Sequence, residues 1–256
     1  MDKEYEAKHH LAEENHCWYK ARRDILIKLL EKYPKNSKIL DIGCSGGPLI
    51  SSLNKIGFNN IYGIDISEEA IKICEKRGLR NVLLMRGEKI DFKNEEFDVI
   101  IASDILEHVK DENIALKEWR RILRRNGKMI VFVPAFNFLW SSHDEQNHHY
   151  RRYSKATLAK SLKEADFSIE RASYWNLSLF FPTFLIRMAQ KIINPKSRPW
   201  IRDSRSRKES GQKNDQLRTL SPLFDNLIFK ILKLENWMLK KINFPFGVSV
   251  FAVVRK

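Results

Sequence analysis

The sequence predicts an α/β protein with a doubly wound, mostly parallel seven-stranded sheet, an N-terminal helix and a helical insert before the last strand. Short apolar runs alternate with helical segments of about ten residues, which favours a parallel sheet with helices on both faces. A glycine-rich turn follows the first run. Gly43, Asp65, Glu88 and Asp104 end four predicted strands, and the carboxyl ends of such strands share one edge, where ligands bind.

The first strand, Lys38–Ile42, runs into the glycine-rich turn at residues 43–47. Glycine lets the backbone turn sharply and approach a ligand closely. Pro48 then begins a helix, whose first N–H groups can bind a carboxylate or phosphate. The next strand, Ile61–Ile66, carries Asp65 near its end, where a carboxylate can accept hydrogen bonds from both hydroxyls of a ribose. This pattern predicts a nucleoside-binding site.

The turn allows two other interpretations. It contains the spacing G-x-S-x-G, which is typical of a hydrolase nucleophile elbow. An elbow serine follows a strand in mid-sheet, with several strands before it, whereas one predicted helix precedes this turn. A dinucleotide-binding turn would read G-x-G-x-x-G, which this one does not.

The remaining elements extend the alternation. Ser67 and Ser154 are predicted helix caps. Further strands are predicted at Val82–Arg86, Phe97–Ser103, Lys128–Pro134, Phe167–Trp175 and Gly247–Arg255, and helices at Pro48–Ile56, Glu68–Arg77, Glu112–Leu123 and Lys155–Ala165.

An N-terminal helix is predicted at Leu11–Tyr33, and Pro34 ends it. Its first half carries Trp18 and Arg22 among other aromatic and basic groups. Two interpretations stay open: the helix covers one edge of the sheet with a solvated basic face, or it is a lid that places these groups over the site.

The stretch Ile39–Gly47 resembles the first motif of class I S-adenosylmethionine-dependent methyltransferases. Ser45 departs from the family, which usually has glycine there; because serine is small, we expect a slightly tighter site. The resemblance is strong from Lys38 to Ser173 and implies S-adenosylmethionine as the cofactor. Three later stretches resemble further motifs of the family, in the same order: Arg86–Glu88, Phe97–Val109 and Arg120–Lys128.

The resemblance implies roles for single residues. Asp65 falls where the family binds ribose, and Glu88 where it contacts adenine. His108, four residues after Asp104, is a candidate base because the unperturbed imidazole pKa lies near neutrality; the alternative is that His108 merely lines the pocket. The candidate cofactor-binding residues are Asp41, Gly43, Cys44, Ser45, Gly47, Asp65, Ile66, Glu88 and Asp104.

A polar and aromatic loop at residues 136–153 follows the fifth strand and predicts substrate contact. It is similar to a W-S-x-H-D…H-x-R-R-Y signature in a bacterial and archaeal subgroup of the family, whose second histidine corresponds to His149, the second catalytic candidate. The alternative is that these side chains attach the loop to the fold. The candidate substrate-binding residues are Trp18, Arg22, Trp140, His143, Asp144, Arg151, Arg152 and Tyr153.

A metal interpretation of the same loop rests on His143, Asp144, His148 and His149. The spacing H-x4-H in a loop is weak evidence for zinc. We therefore predict no metal ion.

The segment 177–246 is predicted to be an insert of two apolar helices and a basic linker. The second helix, from Pro222 to about Ile242, carries one apolar face flanked by lysines. This insert either packs against the domain or a twin subunit, or lies at an anionic membrane surface. The predicted units are therefore 1–34, a methyltransferase domain at 35–176 with 247–256, and 177–246.

The 256 residues carry a formal net charge of +14, which implies an anionic partner: nucleic acid, anionic lipid or a phosphorylated substrate. The 3 cysteines form no C-x-x-C pair, and the first residues contain no apolar signal region. We expect a cytoplasmic monomer or homodimer, with peripheral membrane contact as an alternative.

Two function classes follow. The first is a methyltransferase for a small or lipid-linked, anionic acceptor. The second is an RNA methyltransferase. Two observations argue against it: much of the positive charge lies in the linker, and no recognised RNA-binding module is appended. A cofactor-binding protein without catalysis is a third alternative.

Overall fold

The structure, a computed structural model, describes residues 13–193 and 222–256. Within these ranges one seven-stranded sheet has the order β3-β2-β1-β4-β5-β7-β6. Strand β7 is antiparallel to both of its neighbours, and the other strands pair in parallel. This confirms the predicted fold class. The strands are β1 (Ile39–Ile42), β2 (Ile61–Asp65), β3 (Val82–Leu84), β4 (Phe97–Ser103), β5 (Leu123–Pro134), β6 (Ser168–Trp175) and β7 (Ser249–Arg255).

Helices cover both faces of the sheet, and several begin at residues suited to that position. Ser67 accepts a hydrogen bond from the backbone N–H of Ala70, and Pro48 occupies a first helical position, where no N–H is needed. The helices are α1 (Cys17–Leu30), α2 (Pro48–Lys55), α3 (Glu68–Lys76), α4 (Glu112–Ile122), α5 (Ser142–Gln146), α6 (Lys155–Glu164), α7 (Leu177–Ile193) and α8 (Pro222–Met238), with 3-10 turns at Leu106–His108 and Asn137–Leu139.

The core lies where the central strands meet the helices. All four residues of β1 are buried, as expected of a parallel strand covered on both faces. The largest fully buried side chains include Trp119, Trp175, Phe132 and Phe251. This packed centre fixes the strand ends that form the ligand-binding rim.

Some predicted boundaries were wrong. Strand β5 begins at Leu123, directly after α4, and not at Lys128, because Leu123 pairs with Phe97 before the register shifts. Helix α1 begins at Cys17 and ends at Leu30; the predicted start at Leu11 lies outside the described residues. The predicted basic linker, Arg187–Arg218, begins within α7, which extends to Ile193, and the rest of it lies outside the described residues.

Helix α8 packs along α1 through polar contacts. Asn236 donates to the carbonyl of Ala21 at 2.8 Å and accepts from the indole N–H of Trp175 at 2.7 Å. The opposite face of α8 points away from the domain. That face contains exposed Phe224, Leu227, Ile231, Leu234 and Trp237.

Helix α7, which contacts α8, also exposes apolar side chains. Phe181, Leu185, Ile186 and Ile192 are exposed on it. None of the helices formed by the described residues has the length and apolar character needed to cross a bilayer.

Candidate functional site

The glycine-rich turn after β1 passes through left-handed backbone conformations. Gly43 has φ +73°, Ser45 has φ +50° and Gly47 has φ +76°. A Cβ on Gly43 would lie 2.0 Å from the Cδ1 atom of Ile105. Glycine at 43 therefore lets the end of β1 approach the segment that follows β4.

Asp65, at the end of β2, is oriented by two backbone N–H groups. The N–H of Ser45 donates to Oδ2 at 2.9 Å, and the N–H of Ser67 donates to Oδ1 at 2.9 Å. A carboxylate oxygen can accept more than one hydrogen bond. The oriented carboxylate therefore suits the two hydroxyls of a ribose.

An open cleft of about 440 Å³ lies beside Asp65, at the ends of β2 and β3. Its lining is largely aliphatic, as the face of an adenine ring requires. Glu88, the predicted adenine contact, does not line this cleft, although it lies close to it in the chain. The lining residues are Ile66, Leu84, Met85, Arg86 and Lys89.

Asp41 lies buried within β1, close to the turn. Burial raises the pKa of Asp41 well above its ordinary value, and the nearby Asp65 and Glu13 raise it further. Glu13, which the sequence analysis did not single out, accepts a hydrogen bond from the Ser45 hydroxyl. Cys44 is buried in the hydrophobic core, so its backbone, and not its thiol, faces the turn.

Arg22 ties α1 to the rim of the sheet. Its Nη1 lies 2.8 Å from Oδ2 of Asp104, and its guanidinium lies over the rings of Phe132 and Trp175 at 4.3 and 4.2 Å. Burial lowers the pKa of Arg22, and Asp104 opposes that shift. The guanidinium thus binds groups of the protein itself, whereas the sequence predicted that it would contact the substrate. Further hydrogen bonds run to the hydroxyls of Ser103 and Ser249.

Helix α1 therefore reaches the rim. Trp18 packs edge-on against Trp175 with ring centroids 4.9 Å apart. Of the two interpretations of this helix, the lid over the site is the one that requires a contact between the helix and the rim.

The loop after β5 is organised around buried Asp144. Arg152 donates to both carboxylate oxygens of Asp144, at 2.7 and 3.0 Å, and Nδ1 of His149 lies 2.9 Å from Oδ1. Burial alone would raise the pKa of Asp144, but His149 and Arg152 outweigh it and hold the pKa below its ordinary value. In this structure Asp144 and Arg152 orient His149, whereas the sequence predicted that these two residues would contact the substrate.

His149 brings this loop against the segment that follows β4. The rings of His108 and His149 meet edge-on with centroids 4.6 Å apart, and the N–H of Tyr150 donates to the carbonyl of Glu107 at 2.8 Å. The structure thus places the two predicted catalytic histidines side by side. Of the two, His108 follows shortly after Asp104 in the chain.

Glu107 is the acidic member of this group. Its side chain is 1% exposed, and its Oε2 has no hydrogen-bond partner among the described residues. Burial raises the pKa of Glu107 well above its ordinary value, Asp104 raises it further, and Arg22 and Arg152 oppose the shift. Glu107 lies between Asp104 and His108 in the sequence, but no pattern there indicates a role for it, because its burial depends on the loop after β5.

The other predicted substrate residues occupy mixed positions. Tyr153 is buried and donates to Glu112, which also lies 3.1 Å from Arg151. Burial lowers the pKa of His143 to about 4. The indole N–H of Trp140 is buried without a hydrogen-bond partner among the described residues.

The metal interpretation of the loop is not reproduced as the sequence suggested it. His148 is exposed, and the rings of His143 and His149 lie 6.2 Å apart. Two groups of potential ligands assemble within the described part of the chain: His16, Cys17 and Asp225 form one, and Glu107, His108 and His149, which include a residue of this loop, form the other.

The sheet order and the site at its rim define a Rossmann-like methyltransferase domain. Residues 40–131 match the family described as "Methyltransferase domain". Protein MJ1123 of Methanocaldococcus jannaschii is 30% identical over 166 residues, which cover 64% of this chain and 76% of that protein. The chain belongs to the class I S-adenosylmethionine-dependent methyltransferases, and S-adenosylmethionine is its cofactor.

Other similar proteins include a curated relative and a solved structure. The ubiquinone biosynthesis O-methyltransferase of Pelagibacter ubique is 35% identical over 124 residues, covering 45% of this chain and 48% of that protein. The chain thus spans about half the length of that relative. A S-adenosylmethionine-dependent methyltransferase structure from Archaeoglobus fulgidus has TM-score 0.56 and 17% identity over 91% of this chain and 92% of its own, which shows a shared fold.

Proposed function

We propose that the protein transfers the methyl group of S-adenosylmethionine to a hydroxyl of a lipid-linked acceptor. The observation that carries this proposal is the pair His108 and His149, which lies just beyond Asp104 on the cofactor rim. Asp104, Asp65 and the turn at Gly43 end three adjacent strands, so the cofactor and the histidine pair share one edge.

The chemistry needs little more than positioning. The acceptor oxygen forms a bond to the methyl carbon, the C–S bond breaks with its electron pair going to sulfur, and the hydroxyl proton passes to a base. Because the sulfonium is already an activated leaving group, alignment supplies most of the rate. The Nδ1 atom of His149 is held by Asp144, which leaves its Nε2, together with His108, to receive that proton.

The lipid part of the proposal rests on α7 and α8. Their outer surface exposes Phe224 and Leu227 on α8 and Leu185 on α7. Exposed lysines border it, which favours an anionic lipid surface over a neutral one. These are Lys230, Lys233, Lys240 and Lys241. A relative is named as an O-methyltransferase, which supports an oxygen acceptor.

Membrane lipid extract and total RNA, each incubated with the protein and S-adenosylmethionine labelled in the methyl group, test the acceptor. We expect label in the lipid fraction. His149→Asn should lower the rate by about 10²–10⁴-fold while S-adenosylhomocysteine affinity stays within about threefold. His148→Asn is the matched control, because it makes the same substitution at the neighbouring histidine, whose ring is exposed. Label confined to RNA would overturn the proposal, as would equal activity of the two variants.

Flotation with anionic liposomes tests the membrane contact. The wild-type protein should float at low salt and sink at high salt. Leu227→Glu should abolish flotation, whereas Asn226→Glu adds the same charge at another exposed position of α8 and should weaken it only slightly. Complete recovery of the wild type in the soluble fraction at low salt would exclude this surface as a membrane contact.

A further inference from the structure

Three potential metal ligands converge between two segments of the chain. Glu107 and His108 belong to the 3-10 turn after β4, and His149 belongs to the loop after β5. One oxygen of Glu107 and one ring nitrogen from each histidine all lie within 4.8 Å of one another. One ion at the centre of such a triangle can contact all three atoms at ordinary bond lengths after small side-chain movements.

The histidine from the loop is already oriented as metal-binding histidines usually are. Its Nδ1 lies 2.9 Å from the carboxylate of Asp144, which is itself fixed by Arg152. A carboxylate at one ring nitrogen sets the tautomer and makes the other nitrogen, Nε2, a better ligand.

Glu107 supplies the independent observation. Its side chain is almost fully buried, and Oε2 has no hydrogen-bond partner among the described residues. A buried carboxyl oxygen without a partner destabilises a fold, so such atoms are rare unless a ligand completes them. The unsatisfied oxygen belongs to the same side chain that contributes to the triangle.

We propose that Glu107, His108 and His149 bind one divalent first-row transition metal ion, of the class of zinc, iron or cobalt. Two imidazoles and one carboxylate suit these ions, whereas magnesium and calcium prefer oxygen ligands alone. Three protein ligands leave coordination positions for a substrate oxygen. This assignment replaces the sequence expectation of no metal ion.

This step rests on the proposed methyl transfer and changes the route of the proton: with an ion bound, the ring nitrogens of His108 and His149 ligate the metal and do not themselves accept the proton. A metal ion beside the methyl donor would bind the acceptor hydroxyl and lower its pKa, so that the oxygen attacks the methyl carbon after losing its proton to water. The acceptor class is then a hydroxyl compound whose oxygen can ligate a metal.

Cobalt(II) titration of the full-length protein, stripped beforehand with a chelator, tests the site directly. We expect one bound ion per chain and visible absorption bands of a low-coordinate site. Glu107→Gln and His149→Asn should each raise the dissociation constant at least about tenfold, while His148→Asn leaves it unchanged. Glu107→Gln keeps the side-chain shape, so its thermal unfolding separates lost binding from lost folding.

The outcomes are distinguishable from those of the methyl-transfer assay, because binding is read from absorption without any acceptor. Binding below one ion per two chains, or equal binding by wild type and Glu107→Gln, would overturn the metal site. Methyl transfer that survives chelator would overturn the role of the ion in the reaction. Neither of these two negative results would contradict the transfer of label to the lipid fraction, which tests the acceptor separately.

Discussion

The Nη1 atom of Arg22 on α1 lies 2.8 Å from the Oδ2 atom of Asp104 at the end of β4. The two groups differ in environment: the arginine side chain is 5% exposed and the aspartate side chain 37% exposed. Solvent therefore screens the ion pair, and most of its contribution to stability comes from the buried guanidinium and its hydrogen bonds. This contact is the main link between the N-terminal helix and the cofactor rim.

Replacing Arg22 by leucine should lower the free energy of unfolding by about 2 kcal/mol, because hydrogen bonds to Ser103 and Ser249 are lost with the ion pair. The coupling with Asp104→Asn in a double-mutant cycle should be at most about 1 kcal/mol, since that carboxylate is partly exposed. Urea unfolding measures both. Lys32→Leu, at an exposed position of the same segment, should change little; equal effects at 22 and 32 would refute this account.

Replacing Asp65 by alanine should weaken S-adenosylhomocysteine binding by ~1–3 kcal/mol, the usual loss for charge-assisted hydrogen bonds. Calorimetry measures the affinity. Asp91→Ala removes an exposed carboxylate outside the cleft and serves as the control. Unchanged affinity in Asp65→Ala would exclude the ribose assignment, and so would tighter binding of nicotinamide dinucleotides to the wild type.

Gly47 and Gly78 offer a matched pair, because both have φ +76°. A Cβ at 78 meets no atom within 4 Å, whereas one at 47 lies 2.3 Å from Cδ1 of Leu79 and 3.0 Å from Sγ of Cys74. Gly78→Ala should therefore cost about 1 kcal/mol of stability from backbone strain alone. Gly47→Ala should cost about 2–3 kcal/mol, because overpacking is added to that strain.

Chemical denaturation compares the two glycine variants, and calorimetry reports the cofactor. The affinity for S-adenosylhomocysteine should fall only in Gly47→Ala, since that glycine ends the turn beside Asp65. Equal losses of stability would show that Leu79 moves aside without cost.

The buried carboxyl of Glu107 predicts a pH effect on stability. Its native pKa is raised, so as pH rises the unfolded chain loses this proton before the native protein does. The group therefore contributes stability below its ordinary pKa of about 4.3, and the contribution is lost as pH rises towards the native pKa.

Glu107→Gln should raise the melting temperature of chelator-treated protein by about 2–4 °C at pH 8 and have little effect near pH 4. Glu118→Gln provides a control of opposite sign. Arg121 holds the pKa of Glu118 below its ordinary value, so this variant should lose stability at pH 8. Scanning calorimetry at the two pH values measures these melting temperatures. A shift in the melting temperature of Glu107→Gln that does not depend on pH would contradict this account.

The cofactor half could be predicted from sequence because its signals are local. The turn at Gly43 and the acid at Asp65 lie at ends of strands that apolar runs reveal, and parallel sheets bring such ends together. The sequence also places His108 and His149 in the site, but not their contact with each other.

The acceptor half depends on contacts between distant parts of the chain. The sequence predicts that Arg152 and Arg22 bind substrate, yet each is buried against a carboxylate, Asp144 or Asp104. Spacing gives no sign of such pairing. The outward-facing apolar side of α8 is a similar case: its periodicity is visible in the sequence, whereas the buried contacts made by Asn236 on the opposite side are not.

Strand β6 ends at Trp175, strand β7 begins at Ser249, and these two residues are paired in the sheet. The excursion that contains α7 and α8 therefore leaves and rejoins the domain at adjacent positions. Evolution can lengthen, shorten or exchange such an excursion without displacing Gly43 or Asp65. Descendants of one ancestral fold can in this way keep a single methyl donor while their acceptors diverge.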